Sequence, residues 1–339
     1  MFDIKILSKA DTEKLLKMKD VINVVENVYK SKSEDKTCVF PLIFHEFEPG
    51  VADMDIKSGW LKEGNIFGLK LVSWFGENVK KDLPSLVGLI VVLDSTTGVP
   101  LGILDGAHIT GMRTGAAGAL GAKYLARPDS ETLLLVGAGH VSTFQIAASL
   151  LLFPKLKSVL IYDPINYKTA VNKVNTIVET LSNDFGIKVD ESLQFKAVED
   201  IKEATGKSDI IITVTPSKKP IIMKEWVKPG THFSCIGADM SGKEEIDPEI
   251  FRDARIFVDD ITQCINVGET EIPVSRDIIK KEDIAGEIGD IIAGKTMGRE
   301  NDEQVTIFDA TGIALLDLAT AKLALDEAKK ISMGSTVNI

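Results

Sequence analysis

The run Thr132-Leu-Leu-Leu-Val136 passes directly into Gly137-Ala-Gly139, and the residues from Val141 to Leu152 then read as a helical segment. Four consecutive large apolar residues, Leu133 to Val136, suit a strand buried on both faces, as in a parallel sheet. Gly137 permits a sharp strand-to-helix turn, and Gly139 leaves the backbone bare where the helix begins. Free amide groups and the positive end of the helix dipole at such a start attract a phosphate. A second apolar run, Ser158-Val-Leu-Ile-Tyr162, ends in Asp163, at roughly the 20-residue spacing that places a carboxylate on a ribose. The combination describes a dinucleotide site, even though Ser142 stands where the third glycine of G-x-G-x-x-G is expected. The plainer role for Asp163 is to cap the helix that begins near Asn166. In the ribose role its charge repels a 2′-phosphate, which favours NAD over NADP.

A chain of 339 residues, 44% hydrophobic and 26% charged, buries a large core and divides into about two domains. Its formal net charge of -11 opposes a nucleic-acid or anionic-membrane partner. The first residues carry charges throughout, without the apolar stretch of a signal peptide, and the run Leu89 to Leu93 is far too short to span a bilayer. Cys38, Cys235 and Cys264 are widely spaced and suggest neither a disulfide framework nor a zinc cluster, which points to the cytoplasm. His45, His108, His140 and His232 lack metal-ligand spacing, so no metal is assigned.

Apolar residues from Leu15 to Val28 recur at helical spacing and predict one helix over Lys9 to Ser31. From Val39 to Leu104, short apolar stretches broken by Gly, Pro, Asn and Asp read as antiparallel strands, with a turn at Thr96-Thr97-Gly98. Strands and helices then alternate. After the runs at Leu133 and Ser158 come Asp209–Thr215, His232–Gly237 and Arg255–Asp259, the pattern of a doubly wound parallel sheet. A final helix from about Ile313 to Lys330 carries an apolar stripe and is expected to pack back onto the first domain.

In Gly106-Ala-His-Ile-Thr-Gly-Met-Arg113-Thr114-Gly-Ala-Ala-Gly-Ala-Leu-Gly, an Arg-Thr pair is read as opening a helix of small residues. Either the pair sits near a helix N-terminus to receive an anion, or the small residues serve tight packing and Arg113 forms a structural ion pair. The residues do not choose between these two readings.

Six ordered motifs carry a resemblance over nearly the whole chain. They are Gly68-Leu-Lys70; Asn78 with Asp94-Ser-Thr-Thr-Gly98-Val-Pro100; Ile-Thr-Gly-Met-Arg113-Thr-Gly-Ala-Ala; Gly137-Ala-Gly139; Ile236-Gly-Ala-Asp239-Met-Ser-Gly-Lys243-Glu-Glu-Ile-Asp247-Pro; and Thr306-Ile-Phe-Asp-Ala-Thr-Gly312-Ile-Ala-Leu-Leu-Asp317. With them the sequence resembles the ornithine cyclodeaminase and mu-crystallin family. The resemblance implies a Rossmann NAD-binding domain, residues 116–312, and a sheet-rich α+β domain, residues 1–115 with 313–339, that binds substrate and forms a homodimer. It implies that Lys70 and Arg113 hold the carboxylate of an amino or imino acid, that Asp239 is the catalytic acid/base, and that Thr311 lines the substrate pocket. Lys70 in a strand would otherwise read as part of a solvated face, and Asp239 as a turn residue. For the cofactor the resemblance adds Ser85, Arg113, Thr114, the amides of His140 and Val141, Thr215, Ile236, Gly237, Ala238 and Ala310. Lys243 either contacts the cofactor or pairs with Asp239.

Two departures bear on substrate. Phe40-Pro41-Leu42 lacks the early Arg that often adds a third cation to the carboxylate clamp, with Lys57 as the nearest substitute, and Val141 replaces a frequent Gln. The expected reaction is NAD-dependent hydride transfer at C2 of a small L-amino acid, first as a cyclodeaminase taking L-ornithine to L-proline plus ammonia, with Asp53 and Asp55 as candidates for the terminal ammonium. The alternatives are an amino-acid dehydrogenase or cyclic imine reductase, which missing Arg favours slightly, and a non-catalytic mu-crystallin-like binding protein.

Overall fold

In the computed structural model, which describes residues 1–339, the chain runs through two units: Met1–Arg113 together with Ile313–Ile339, and Thr114–Gly312. The first unit is built on β1 (Asp3–Leu7), β2 (Thr37–Val39), β3 (Ile43–Glu48), β4 (Ala52–Leu61), β5 (Ile66–Phe75), β6 (Leu86–Asp94), β7 (Pro100–Asp105) and β18 (Ser335–Asn338). Their order in the sheet is β18-β1-β7-β6-β5-β4-β2, with β3 on β4. The expected meander is present between β4 and β7. At its end β1 adds parallel to β7, so the sheet is mixed, and β18 closes that edge.

The expected single helix over Lys9–Ser31 is instead two, α1 (Lys9–Leu15) and α2 (Met18–Ser33). Leu16 and Lys17 are extended, and the redirected chain buries Leu15, Leu16 and Met18 together, which one straight helical stripe does not. α10 (Ala314–Lys330) packs on α2 and on the sheet. Glycines make its close approach possible: a Cβ built on Gly59 or on Gly68 would lie 2.8 Å from Cδ2 of Leu315 or Leu318 respectively. Exposed apolar side chains collect at β3 and its neighbours, where Ile43, Phe44 and Phe47 are 54%, 46% and 58% exposed.

α3 (Gly106–Leu125) contains the point at which the two units divide. Its start corrects the sequence reading: Arg113 and Thr114 lie inside the helix, because Asp105 accepts the Ala107 amide at 3.0 Å and starts the helix seven residues earlier than the Arg-Thr pair implies.

The second unit holds β8 (Thr132–Val136), β9 (Ser158–Tyr162), β10 (Gln194–Ala197), β11 (Ile210–Thr213), β12 (Lys218–Ile222), β13 (His232–Cys235), β14 (Glu244–Ile246), β15 (Arg255–Val258), β16 (Ile284–Glu287) and β17 (Thr306–Asp309). Eight of these form a wholly parallel sheet in the order β10-β9-β8-β11-β13-β17-β15-β16, while β12 and β14 pair separately. Its helices are α4 (His140–Leu152), α5 (Tyr167–Phe185), α6 (Ile201–Lys207), α7 (Ile261–Val267), α8 (Glu271–Ser275) and α9 (Ile288–Ile292), with the later part of α3. Leu133 to Val136 are fully buried, as a strand covered on both faces requires. From β8 the chain fills one side with β9 and β10, then crosses to β11 and β13 on the other, the strand reversal of a Rossmann sheet. No helix of the chain is long and apolar enough to cross a membrane.

Candidate functional site

The carboxyl edge of the parallel sheet gathers the glycine turn and its neighbours. Gly137 has φ +105°, and a Cβ there would lie 2.9 Å from Thr215 Cγ2, so this turn demands glycine twice over. Gly139 caps α4 with open space where a Cβ would stand, leaving room for a ligand to approach the backbone. The exposed His140 and half-buried Val141 follow at the helix start, where the first turn carries no acid to repel an anion. Ser142 is buried, and its hydroxyl donates to Gly139 O at 2.5 Å, so a small side chain that bonds its own turn replaces the third glycine.

Asp163 accepts the Ala138 amide on Oδ2 at 3.1 Å and the Ile165 and Asn166 amides on Oδ1 at 3.1 and 3.0 Å. It thus ties the glycine turn to the loop leading into α5, while Asn166 itself caps that helix. A half-buried carboxylate held by three backbone donors is fixed at the edge of the turn, where a ribose hydroxyl has acceptor lone pairs to meet.

Thr215 lies just past β11, and Ile236, Gly237, Ala238 and Asp239 just past β13. The Asp239 side chain is 48% exposed, with Lys243 Nζ 2.5 Å from Oδ1. Ala310 follows β17 and donates its amide to Cys235 O at 3.0 Å. Buried Thr311 accepts from Gln263 Nε2 at 2.8 Å and meets Asp259 Oδ1 at 3.3 Å. On α3, Thr114 O accepts Gln145 Nε2 at 2.9 Å. Gly115 and Gly118 touch Phe144 and Gln145 of α4 so closely that no Cβ fits, which makes the small-residue face of α3 a packing surface.

The first unit carries a different cluster. Lys70 on β5 and Arg113 on α3 both reach Oδ1 of Asp317 on α10, from Nζ at 3.1 Å and Nε at 3.1 Å. Lys70 also donates to Thr110 Oγ1 at 3.3 Å. All three charged groups are buried, Asp317 completely, and its Oδ2 has no hydrogen-bond partner. Lys57 stands directly opposite Lys70 in the β4–β5 ladder, and Asp53 and Asp55 lie half-buried on β4. Burial brings the Lys70 ammonium down to about 8; Asp317 and Asp55 oppose that fall, whereas Arg113 and Lys57 add to it. Burial raises the Asp317 carboxyl, but Arg113 and Lys70 outweigh it and leave the group below its ordinary value. Ser85, also in this unit, is half-buried before β6, and its carbonyl accepts the Phe75 amide at 2.8 Å.

Sequence reading assigned no role to Asp317 or to Glu245, which binds the turns after β11 and β13. A lone acid in the apolar stripe of α10 and an acid beside apolar Ile246 were the available signals, since a buried charge demands a partner.

The model of the ornithine cyclodeaminase/mu-crystallin family matches residues 3–332. The alanine dehydrogenase of Archaeoglobus fulgidus is 36% identical over 98% of this chain and 97% of its own length. Among solved structures, an archaeal alanine dehydrogenase dimer with bound NAD has a TM-score of 0.90 at 36% identity, with 100% of both chains covered. The Δ1-pyrroline-2-carboxylate reductase of Thermococcus litoralis, solved with NADH and L-proline, has a TM-score of 0.87 at 34% identity over 99% of this chain and 100% of that one.

Proposed function

The chain belongs to the ornithine cyclodeaminase/mu-crystallin family, and on that premise we propose that it is an NAD-dependent oxidoreductase acting at C2 of a small L-amino acid or the matching 2-imino acid. One observation carries the reading: Lys70 and Arg113 share the single buried carboxylate of Asp317, so two cations face one anion and one positive charge is left over. A buried excess charge is costly until an anion arrives, and the carboxylate of an amino acid is an anion of suitable size.

In this reading Lys70 and Arg113 fix the substrate carboxylate and thereby orient C2. Gly137, Gly139 and the α4 amides would hold the pyrophosphate of NAD and Asp163 its adenosine ribose, and the bound nicotinamide would supply the hydride acceptor for C2. Asp239 takes a proton from the substrate nitrogen as the C2–H pair departs, giving the imine, and returns the proton in the reverse direction. Lys243 pairs with Asp239 and orients its carboxylate. The fixed charge of Asp163 disfavours a 2′-phosphate, which supports NAD over NADP. The exposed apolar side chains at β3 support a homodimer.

Net hydride transfer is preferred to the cyclodeaminase outcome expected from sequence. The early Arg of the carboxylate clamp is absent at Pro41-Leu42, and relatives above 30% identity include an alanine dehydrogenase and a pyrroline-2-carboxylate reductase. The deciding assay supplies L-alanine, L-proline and L-ornithine with NAD, and pyruvate with ammonium or cyclic 2-imino acids with NADH. Stoichiometric change in NADH is the expected result. Proline and ammonia formed from L-ornithine in excess over a trace of NAD, without net NADH, would establish the cyclodeaminase instead.

A further inference from the structure

Glu245, on β14, is completely buried, and both of its oxygens are used. Oε1 accepts the amide of Thr215 at 2.5 Å and Oε2 accepts the amide of Gly237 at 2.9 Å. These amides belong to the turns that follow β11 and β13, neighbouring strands of the parallel sheet. The two turns are stacked without slack: a Cβ on Gly237 would lie 2.5 Å from Thr215 N and 2.6 Å from Glu245 Oε2. The stack continues to the glycine turn, where a Cβ on Gly137 would meet Thr215 Cγ2. Behind Glu245 stands a second buried acid, Glu269, whose Oε1 accepts the amides of Glu245 and Ile246, each at 2.8 Å. Thr270, the next residue, is held in turn by Asp309 Oδ2 through its amide at 2.9 Å and its hydroxyl at 2.6 Å.

Three buried carboxylates in sequence are an expensive way to join loops, since each must be desolvated. Burial accordingly pushes the Glu245 and Asp309 carboxyls up to about 7, and Glu269 well above its ordinary value. Glu245 accepts on both of its oxygens, whereas a glutamine in its place offers one acceptor oxygen and one donor group.

We infer that Glu245 is a positioning residue that presets the turns after β11 and β13 for the nicotinamide half of the bound dinucleotide. The inference rests on the proposed oxidoreductase reading. In a doubly wound sheet the dinucleotide lies across the strand reversal, so β8 and β9, with Gly139 and Asp163, serve the adenosine side, and β11 and β13 serve the other. Glu245 thus secures the loop carrying Gly237, Ala238 and Asp239 without touching the adenosine side itself.

The test titrates wild-type protein and Glu245→Gln with NADH and, separately, with ADP-ribose, which lacks the nicotinamide. In the variant the glutamine NH2 faces one of the two amides, donor against donor, and the turns separate. The expected result is an NADH Kd raised at least tenfold with the ADP-ribose Kd changed less than twofold. A purely structural role would leave both ligands unchanged, or weaken both in parallel, and either pattern overturns the inference. Wild-type protein that binds ADP-ribose but not NADH overturns the oxidoreductase reading and the inference with it. Should Glu245→Gln fail to fold, amide exchange in the wild-type protein replaces it: slow exchange at Thr215 and Gly237 without ligand supports the brace, and fast exchange at either overturns it.

Discussion

Lys243 Nζ lies 2.5 Å from Asp239 Oδ1, one helical turn's worth of sequence away, with the lysine mostly covered and the aspartate half open to solvent. The ion pair fixes the direction of the carboxylate to which the proposed function gives the proton transfer. Replacing Lys243 by Met is expected to lower kcat about tenfold while leaving the NADH Kd within twofold, because the carboxylate loses the partner that orients it. Steady-state kinetics and NADH titrations of the two proteins measure this, and an unchanged kcat would remove Lys243 from the role.

Lys70 gives a dependence at the other end of the scale. Its ammonium is brought down to about 8, so above that pH the group is neutral and the clamp loses one of its two cations. KM for the amino acid is expected to rise about tenfold per pH unit above 8 while kcat stays level, since the charge binds the carboxylate in ground and transition states alike. A KM that is flat from pH 7 to 10 would contradict the assignment.

Removing the acid is worse than removing a cation. Asp317→Asn leaves Lys70 and Arg113 buried beside each other without the carboxylate they share, and breaking such a pair from one side costs about 3 kcal/mol or more. Urea unfolding should show that loss, and adding Lys70→Met to the variant should recover part of it. Loss below about 1 kcal/mol would show that the cluster is solvated.

The seats for α10 are as exacting. Gly68→Ala would drive a methyl group into the Val91 carbonyl of the neighbouring strand and against Leu318, at an expected cost of about 1 to 3 kcal/mol. Thermal melts of variant and parent decide it, with unchanged Tm as the contrary outcome.

Phe44 and Phe47 offer a test of assembly. Changing both to Glu should convert the proposed dimer to monomer in light scattering after gel filtration, because two buried charges at an apolar contact are unpaired. A dimer that survives both substitutions would place the contact elsewhere.

What was legible in the sequence was what is local along the chain. The turn at Gly137 to Gly139, the strand before it and Asp163 after it each follow from a few adjacent residues, and so do the hairpins of the first unit. The partner of Lys70 was not legible, because Asp317 is 247 residues away and looks like one more polar position in a helix. The start of α3 was misplaced for a related reason: two glycines between Asp105 and Arg113 resemble a loop until the Asp105 cap is seen. Short strands such as β10 and β16 carry too few residues for any period to register, and they exist through pairing with neighbours.

The division of the chain has a consequence during synthesis. The first unit is begun by Met1–Arg113 but completed by residues after Gly312, so a ribosome must make the entire second unit before α10 and β18 emerge. Until then the glycine seats of the sheet are empty, the edge of β1 is uncovered, and Lys70 and Arg113 have no Asp317. A nascent or truncated chain ending at Gly312 therefore displays a sticky sheet and two stranded cations. The closing helix is therefore the segment whose arrival covers the sheet face and gives both cations their partner in one step.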